Sequence, residues 1–288
     1  MREQASLWYR LSQNPEEVRL WVLEAMFARC ILPAGRGPRA ADAYSQARLV
    51  RERLRRWRAG EYSQLWQEAV DLTKVQPKKK KKKQGDQEKS QEKQNAERAA
   101  TLAQDGQFTK ALQALTSAGM APPTRANLKF MKEKHPQAPG EPVNPLNTES
   151  PQLSFGQVEV DKAAKKFRRG SAPGPSGLRP EHLRVALQAA PGRRDRALQS
   201  LTKLVNAMAK GSVPDEVAPY LAGARLHAAI KKDGGLRPIA VGNILRQLVA
   251  KCCATKLQER AAAIFKPHQL GVGVKGRGAE YVSACQHC

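Results

Sequence analysis

Three basic side chains surround a short turn in the segment 224–243, and their types and spacing suit contact with phosphate. Lys231 and Lys232 precede the turn Asp233–Gly235, and Arg237 follows it. A lysine ammonium is a compact cation, and an arginine guanidinium is a planar fork of donors that matches phosphate oxygens. Placed together on one turn, these cations would offer a polyanion several contacts at once.

The residues on either side of this turn predict a β-hairpin that positions the cations. In RLHAAI, Leu226, Ala228 and Ile230 alternate with His227 and Ala229. A second apolar segment, LRPIAV, follows the Asp-Gly turn. This pattern is typical of two strands joined by a tight turn. Pro238 cannot donate a ladder hydrogen bond, so we predict that its strand lies at an edge or a bulge. A helix that ends before Pro267 is predicted next, from apolar residues at core spacing: Leu245, Leu248, Val249, Cys252 and Leu257.

A second candidate phosphate-binding segment is the loop SAPGPSGLRPEHL, which begins at Ser171. Two prolines alternate with Gly174 and Gly177, which predicts a rigid loop. It connects a helix with an apolar face (Val160, Ala163, Ala164 and Phe167) to a helix that starts near Pro180. Its flanks carry six cations: Lys165, Lys166, Arg168, Arg169, Arg179 and Arg184. Backbone amides and cations in this arrangement bind a phosphate chain. The alternative is an ordinary connection between helices with exposed charge.

The composition extends the argument for a polyanionic partner to the whole chain. The 288 residues carry a formal net charge of +24, which makes nucleic acid, RNA or DNA, the first partner to consider. Aromatic residues make up 5% against 41% hydrophobic, so a core of Leu, Ala and Val favours helices. No long apolar run or secretory leader is apparent, so we expect an intracellular protein without membrane contact. The five cysteines are odd in number and bunched, which indicates free thiols: Cys30, Cys252, Cys253, Cys285 and Cys288.

Residues 1–75 predict a helical N-terminal region. Asn14, Pro15 and Glu17 have the order of a helix start. Two further helices are predicted from apolar spacing: Val50, Leu54 and Trp57 in one, and Tyr62, Leu65, Trp66, Ala69 and Val70 in the other. The first of these two carries five arginines around one tryptophan: Arg51, Arg53, Arg55, Arg56 and Arg58. They form either a solvated helix face or a face that follows phosphates.

Residues 76–150 predict a linker and a second helical unit. Lys78 to Lys83 form an unbroken lysine run before a polar segment, and like charges that repel predict a disordered Lys-rich linker over 76–95. The same run fits a nuclear-import signal or a nucleic-acid tether. Residues 96–150 predict a helical hairpin with a turn at Asp105-Gly106, followed by a Pro-rich boundary. The apolar face of its second helix would hold Phe108, Ala111, Leu112 and Leu115.

Three motifs, taken in order, resemble the fingers region of reverse transcriptases from non-LTR retrotransposons. They are KFRRGSAPGPSGLRPEHL, KKDGGLRPIAVGNILRQLVAK and PHQLGVGVKGRGAE. The resemblance makes 151–288 a fingers fragment within an α+β, mostly α-helical fold. It implies nucleotide-triphosphate contacts by Lys231, Lys232 and Arg237. It implies template contacts by Arg168, Arg169, Gly174, Gly177 and Arg179. Ser176 departs from the family, which commonly has an aspartate there.

The same resemblance predicts that this chain alone does not polymerise. Polymerases of this family hold two metal ions on palm aspartates, which lie beyond the third motif. The sequence contains no F/Y-x-D-D, and Glu259 and Glu280 are the only acids after Asp233. We therefore predict no catalytic residues and no metal or other cofactor here, although a complete enzyme would use magnesium. Because fingers normally lean on a palm, we expect the helix Leu245 to Leu257 to be partly uncovered.

Two functions follow from the sequence. The first is a truncated RNA-directed DNA polymerase that keeps the motifs for template and, weakly, for nucleotide triphosphate. The second is a basic helical nucleic-acid-binding or adaptor protein whose hairpin similarity is incidental.

Overall fold

The computed structural model describes residues 2–32, 43–74, 84–104, 106–134, 153–168, 170–188, 190–231 and 233–265. Its helices are, in chain order, α1 (Arg2–Gln13), α2 (Val18–Ile31), α3 (Ala43–Arg58), α4 (Tyr62–Lys74), α5 (Gln84–Gln104), α6 (Phe108–Leu115), α7 (Arg125–Glu133), α8 (Gln157–Lys165), α9 (Pro180–Leu187), α10 (Pro191–Ala209), α11 (Ala218–Ala222) and α12 (Ile244–Phe265). The strands β1 (Ala224–Ile230) and β2 (Leu236–Gly242) lie between α11 and α12. The prediction of a mostly helical α+β fold is confirmed.

The N-terminal helices differ from the prediction at their first junction. The predicted helix start at Asn14 and Pro15 is wrong, because α1 already extends to Gln13 and α2 begins only at Val18. The Asn14 amide donates to the Arg10 carbonyl at 3.0 Å and so closes α1. The Trp21 indole donates to the Pro15 carbonyl at 2.7 Å, which fixes the turn against α2.

The predicted helices over Val50–Trp57 and Tyr62–Val70 are confirmed as α3 and α4. Their contact with α2 is aromatic: the Trp57 ring packs edge-on against Phe27 and Tyr62, with centroid distances of 5.2 and 4.7 Å. Leu65 is fully buried in the same small core.

The segment 84–95 corrects the predicted extent of the linker. The sequence predicts disorder over 76–95, but α5 begins at Gln84 and runs through this segment. The physical reason is that Gln, Glu, Lys and Ala are good helix formers, so high polarity alone does not exclude a helix. The lysine run itself lies outside the described residues.

The helical hairpin of α5 and α6 is confirmed, but its predicted apolar face is mostly wrong. Ala111 is buried together with Ala99 and Ala114. Phe108, Leu112 and Leu115 are instead 72%, 66% and 52% exposed. The two helices meet through alanines, and the larger side chains of α6 therefore lie outside the contact. The predicted Pro-rich boundary at 135–151 lies outside the described residues.

A larger core joins the N-terminal helices to the C-terminal region. It consists of buried residues from α1, α2, α8, α9, α10, α11 and α12 and from the loops between them. Leu245, Leu248 and Cys252 are buried in it, whereas Leu257 is 41% exposed. α12 packs against α8 and α10 and is partly uncovered, as predicted, with the exposed apolar side chains Leu257 and Ile264 in its second half.

Candidate nucleic-acid interface

The predicted hairpin is present and its turn is held by hydrogen bonds. β1 and β2 are antiparallel, with Ile230 opposite Leu236 and Ala229 opposite Arg237. The Lys231 amide donates to the Gly235 carbonyl at 2.8 Å, and Asp233 Oδ1 accepts from the Gly235 amide at 3.0 Å. The aspartate therefore stabilises the backbone that presents the cations.

The placement of Pro238 at a sheet edge is also confirmed. The segment 119–121 lies along the other side of β1, where the Ile230 amide donates to Gly119 at 3.1 Å and the Ala121 amide donates to Ala228 at 2.8 Å. Among the described residues nothing pairs with the other side of β2, and a proline at such an edge interrupts no ladder. No described residue of the hairpin 224–242 is buried.

Lys231 and Arg237 lie on the same face of the hairpin. Side chains alternate along a strand, so Lys231 and Ala229 share a face with Arg237 and Ile239 on the partner strand. Together with Asp233 they line a shallow cavity of about 470 Å³. Both cations are exposed. Lys232, predicted with them, lies outside the described residues.

The Gly-Pro loop packs directly on the base of this hairpin. Gly174 is buried, and a Cβ placed on it would overlap the Gly242 carbonyl and lie 2.8 Å from the Asn243 amide nitrogen. Only glycine permits so close an approach of two backbones. Gly177 has φ +79° and lies against the Arg29 side chain, whose Nε donates to the Pro175 carbonyl. The loop is thus fixed between α2 and the end of β2.

A buried polar pair joins the same two segments. The Ser176 hydroxyl donates to Asn243 Oδ1 at 3.4 Å, and both residues are almost fully buried. Asn243 Oδ1 also accepts from the Leu245 amide at 3.4 Å, as an N-cap of α12 does. Sequence reasoning missed Asn243, although an asparagine immediately before an apolar helix is a signal that could have found it.

The cations that flank the loop differ in whether they contact other groups of the protein. Arg168 and Arg179 are exposed, whereas Arg169 lies outside the described residues. Arg184 turns inward and donates to the Phe167 carbonyl, and Lys165 pairs with Asp161 at 2.6 Å. Of the predicted template contacts, the structure therefore brings Gly174 to the base of the hairpin and Gly177 to Arg29 of α2. It leaves the Arg168 and Arg179 side chains exposed at the loop ends.

His182 lies in the first turn of α9, next to Arg179. Its Nδ1 accepts from the Arg179 amide at 3.2 Å. Burial lowers the pKa of His182, and the neighbouring guanidinium lowers it further. The imidazole is therefore held neutral as a helix-start acceptor.

Four of the five arginines predicted together on α3 form ion pairs with carboxylates. Arg53 is buried and donates to the Cys30 carbonyl at 2.7 Å and to Glu68 at 3.0 Å. The next three arginines also form ion pairs: Arg55 with Glu52, Arg56 with Glu61 and Glu68, and Arg58 with Glu3. α3 therefore combines inner ion pairs at Arg53 and Arg56 with a solvated side that carries Arg51, Arg55 and Arg58.

Other chemistry is sparse within the described ranges. Among them no group of three or more His, Cys, Asp or Glu side chains could hold a metal ion. Cys30 and Cys252 are free and buried, and burial raises the pKa of each thiol to about 11. No helix in this part of the chain is long and apolar enough to cross a membrane.

No family model, no curated protein and no solved structure matches the chain. The resemblance to reverse transcriptases therefore stays a prediction from the three motifs.

Proposed function

We propose that residues 153–265 act as a fingers module of the reverse-transcriptase type, which binds a nucleotide triphosphate and a template strand. The observation that carries this proposal is the contact between the Gly-Pro loop and the base of the hairpin. Gly174 and Ser176 reach Gly242 and Asn243 across more than sixty residues of sequence. Two motifs that the resemblance assigns to one substrate complex are therefore neighbours.

The hairpin tip has the chemistry that a polyphosphate requires. Lys231 and Arg237 lie on one exposed face, and the carboxylate of Asp233 is occupied by the turn amide of Gly235. A triphosphate on this face would meet one ammonium and one guanidinium, of which the guanidinium can form a forked contact. Without a metal-binding palm, we expect a Kd on the order of millimolar, about 4 kcal/mol of binding free energy.

The proposed role is binding, because the residues that carry it are lysines, arginines and glycines and none of them is a metal-binding acid. Purified chain with primed RNA template, magnesium and nucleotides is expected to give no extension above background. Template-dependent synthesis that copurifies with the chain would contradict this part of the proposal.

The test of the binding site is a titration with nucleotide triphosphate and with duplex DNA. Three proteins are compared: wild type, the double variant Lys231→Ala/Arg237→Ala, and a deletion of the lysine run 78–83. The double variant should weaken triphosphate binding several-fold and leave the salt dependence of duplex binding nearly unchanged. The deletion should leave triphosphate binding nearly unchanged and reduce the salt dependence of duplex binding. The slope of log affinity against log salt is about 0.9 for each phosphate neutralised.

Arg225→Ala is the matched control for the double variant. Arg225 is an exposed cation of the same hairpin, paired with Val241 near its base. Ala229 lies four residue steps further along β1, which is about 13 Å. The control should therefore bind triphosphate as wild type does. Identical triphosphate curves for wild type and the double variant would reject the fingers assignment and favour the alternative, a basic nucleic-acid-binding adaptor.

A further inference from the structure

A groove between α1, α9 and α10 carries arginines that lack carboxylate partners. Its volume is about 710 Å³, and it is lined by residues of all three helices. The basic side chains are Arg2 from α1 and Arg193 and Arg196 from α10. None of the lining residues belongs to the hairpin or to the loop 170–179, so the groove is separate from the proposed fingers site.

The lining residues on the two long walls of the groove have the same spacing. α1 contributes Arg2, Ala5, Ser6 and Tyr9, and α10 contributes Arg193, Arg196, Ala197 and Ser200. Each set has the spacing i, i+3, i+4, i+7, which places its members on one helix face. Small residues, Ala5 and Ser6 on α1 and Ala197 and Ser200 on α10, leave space between the arginines of the two walls.

The charge in this groove is uncompensated. Within the described ranges, Arg2, Arg193 and Arg196 form no ion pair with a carboxylate, and no acid lines the groove. Arg194, by contrast, is one residue away and pairs with Asp161 at 3.1 Å. The first turn of α10 also lacks an acid, although cations there oppose the helix dipole. A bound anion would compensate both unfavourable features.

The remaining surface of the groove fits a flat apolar body attached to that anion. Tyr9 and Val185 are each 56% exposed, and Ala5, Ala186 and Ala197 form the floor. An exposed aromatic ring beside cations is the arrangement that stacks a nucleobase while the cations hold its phosphate. The volume also exceeds what a lone phosphate needs and falls in the range of ligand pockets.

We propose that this groove binds nucleotide units of single-stranded nucleic acid, with phosphate on Arg2, Arg193 and Arg196 and a base on Tyr9. The same chemistry is present in a free nucleotide, and the experiment separates the two sources. An acidic peptide is the competing occupant. It is less suitable because an α-helix about 10–12 Å across needs a longer apolar trough.

The first measurement is fluorescence anisotropy of the full chain with labelled oligothymidylate of about six nucleotides, at several salt concentrations. Arg193→Ala/Arg196→Ala should lower affinity about tenfold and reduce the salt slope by about 1.4, since each single-strand phosphate that is no longer neutralised lowers it by about 0.7. Arg194→Ala removes a neighbouring but paired arginine and should match wild type. Unlabelled thymidine monophosphate that competes as well as the oligomer would assign the site to free nucleotide.

The second measurement locates the base by photo-crosslinking. An oligonucleotide with 5-iodouracil should photo-crosslink to Tyr9 in wild-type chain, as mapped by mass spectrometry, and Tyr9→Leu should lose that crosslink. Three results would overturn the proposal: equal behaviour of the double variant and Arg194→Ala, a crosslink only elsewhere, or displacement by polyglutamate as effective as by oligonucleotide. Lys231→Ala/Arg237→Ala should leave the crosslink intact, so failure at the hairpin and failure at the groove are distinguishable.

Discussion

The arginines of α3 and the cations of the hairpin look alike in sequence but have opposite surroundings. Arg53 and Arg56 converge on Glu68, with atomic distances of 3.0 and 2.8 Å. Lys231 and Arg237 extend from strands of which no described residue is buried. The positive charge of Arg53 and Arg56 is neutralised within the fold, whereas the charge of the hairpin stays available to a ligand.

A basic run is therefore not itself evidence of a nucleic-acid surface. What decides is whether carboxylates from other elements lie within reach. Glu68 is on α4 and Glu3 is on α1, so the neutralisation of α3 depends on tertiary contacts. The following predictions test whether the packed body and the exposed hairpin differ as these contacts indicate.

The largest expected effect is that of Arg53→Ala. The change leaves the buried Cys30 carbonyl without its donor and removes a packed aliphatic stem. We expect the free energy of unfolding to fall by about 3 kcal/mol, as for a broken buried pair. Urea denaturation measures it, with Arg51→Ala, exposed on the same helix, as the control. Equal urea midpoints for the two variants would show that α3 is held by apolar packing alone.

A second large effect is expected from a buried acid between α1 and α2. Glu24 is buried and accepts from Gln4 Nε2 at 2.9 Å and from the Trp8 indole at 3.5 Å. Burial raises the pKa of Glu24 from 4.5 to about 7. The other carboxylate oxygen and Gln4 Oε1 have no partner among the described residues. If Glu24 Oε2 carries a proton, it can donate to Gln4 Oε1 and complete an acid–amide pair.

The sign of the pH dependence follows from this raised pKa. The folded state holds the proton more tightly than the unfolded state, so the stability is complete below pH 4.5 and is lost as pH rises toward and past 7. We expect a loss of about 3 kcal/mol over that window. Glu24→Gln should remove this pH dependence. The lowered pKa of His182 contributes equally to the pH dependence of both proteins. Parallel stability curves for wild type and Glu24→Gln from pH 4 to 8 would contradict the protonated pair.

A smaller effect is expected where the packed body meets the hairpin. Gly174→Ala would force a methyl group into the Gly242 backbone, and overpacking of this kind costs about 2 kcal/mol. Gly192→Ala is the matched control, because nothing lies within 4 Å of a Cβ at that position. Thermal unfolding should show a lower Tm for the first variant and an equal or higher Tm for the second. Unchanged Tm for Gly174→Ala would mean that the loop does not rest on the hairpin.

The outcome for each element follows from how local its signals are. The hairpin and α12 are predicted correctly because turn residues and apolar spacing lie within each segment. Helix α10 was not predicted, although the sequence signals it with a proline in its first turn and leucines at helical spacing. The predicted boundary of α5 is wrong because a polar composition is compatible with a helix as well as with disorder.

The candidate site is only partly predictable for a different reason. Turn chemistry and the resemblance identify Lys231, Arg237, Gly174 and Gly177. The hydrogen bond of Ser176 with Asn243 joins positions 67 residues apart, and no spacing rule reaches that far. The partners of the α3 arginines are hidden in the same way, since Glu3 and Glu68 lie on α1 and α4.

The smallest expected effect tests whether α3 also follows phosphates. Arg55 pairs with Glu52 at 2.8 Å, and both side chains are more than half exposed. An exposed pair of this kind contributes little to folding, so Arg55→Gln should leave the Tm unchanged. If its charge is neutralised within the fold, the salt slope of duplex DNA binding should also stay that of wild type, whereas deletion of the lysine run should lower it. A slope reduced by about 0.9 in Arg55→Gln would mean that phosphate displaces Glu52. α3 and the hairpin would then differ only in the groups that their cations contact in the absence of nucleic acid.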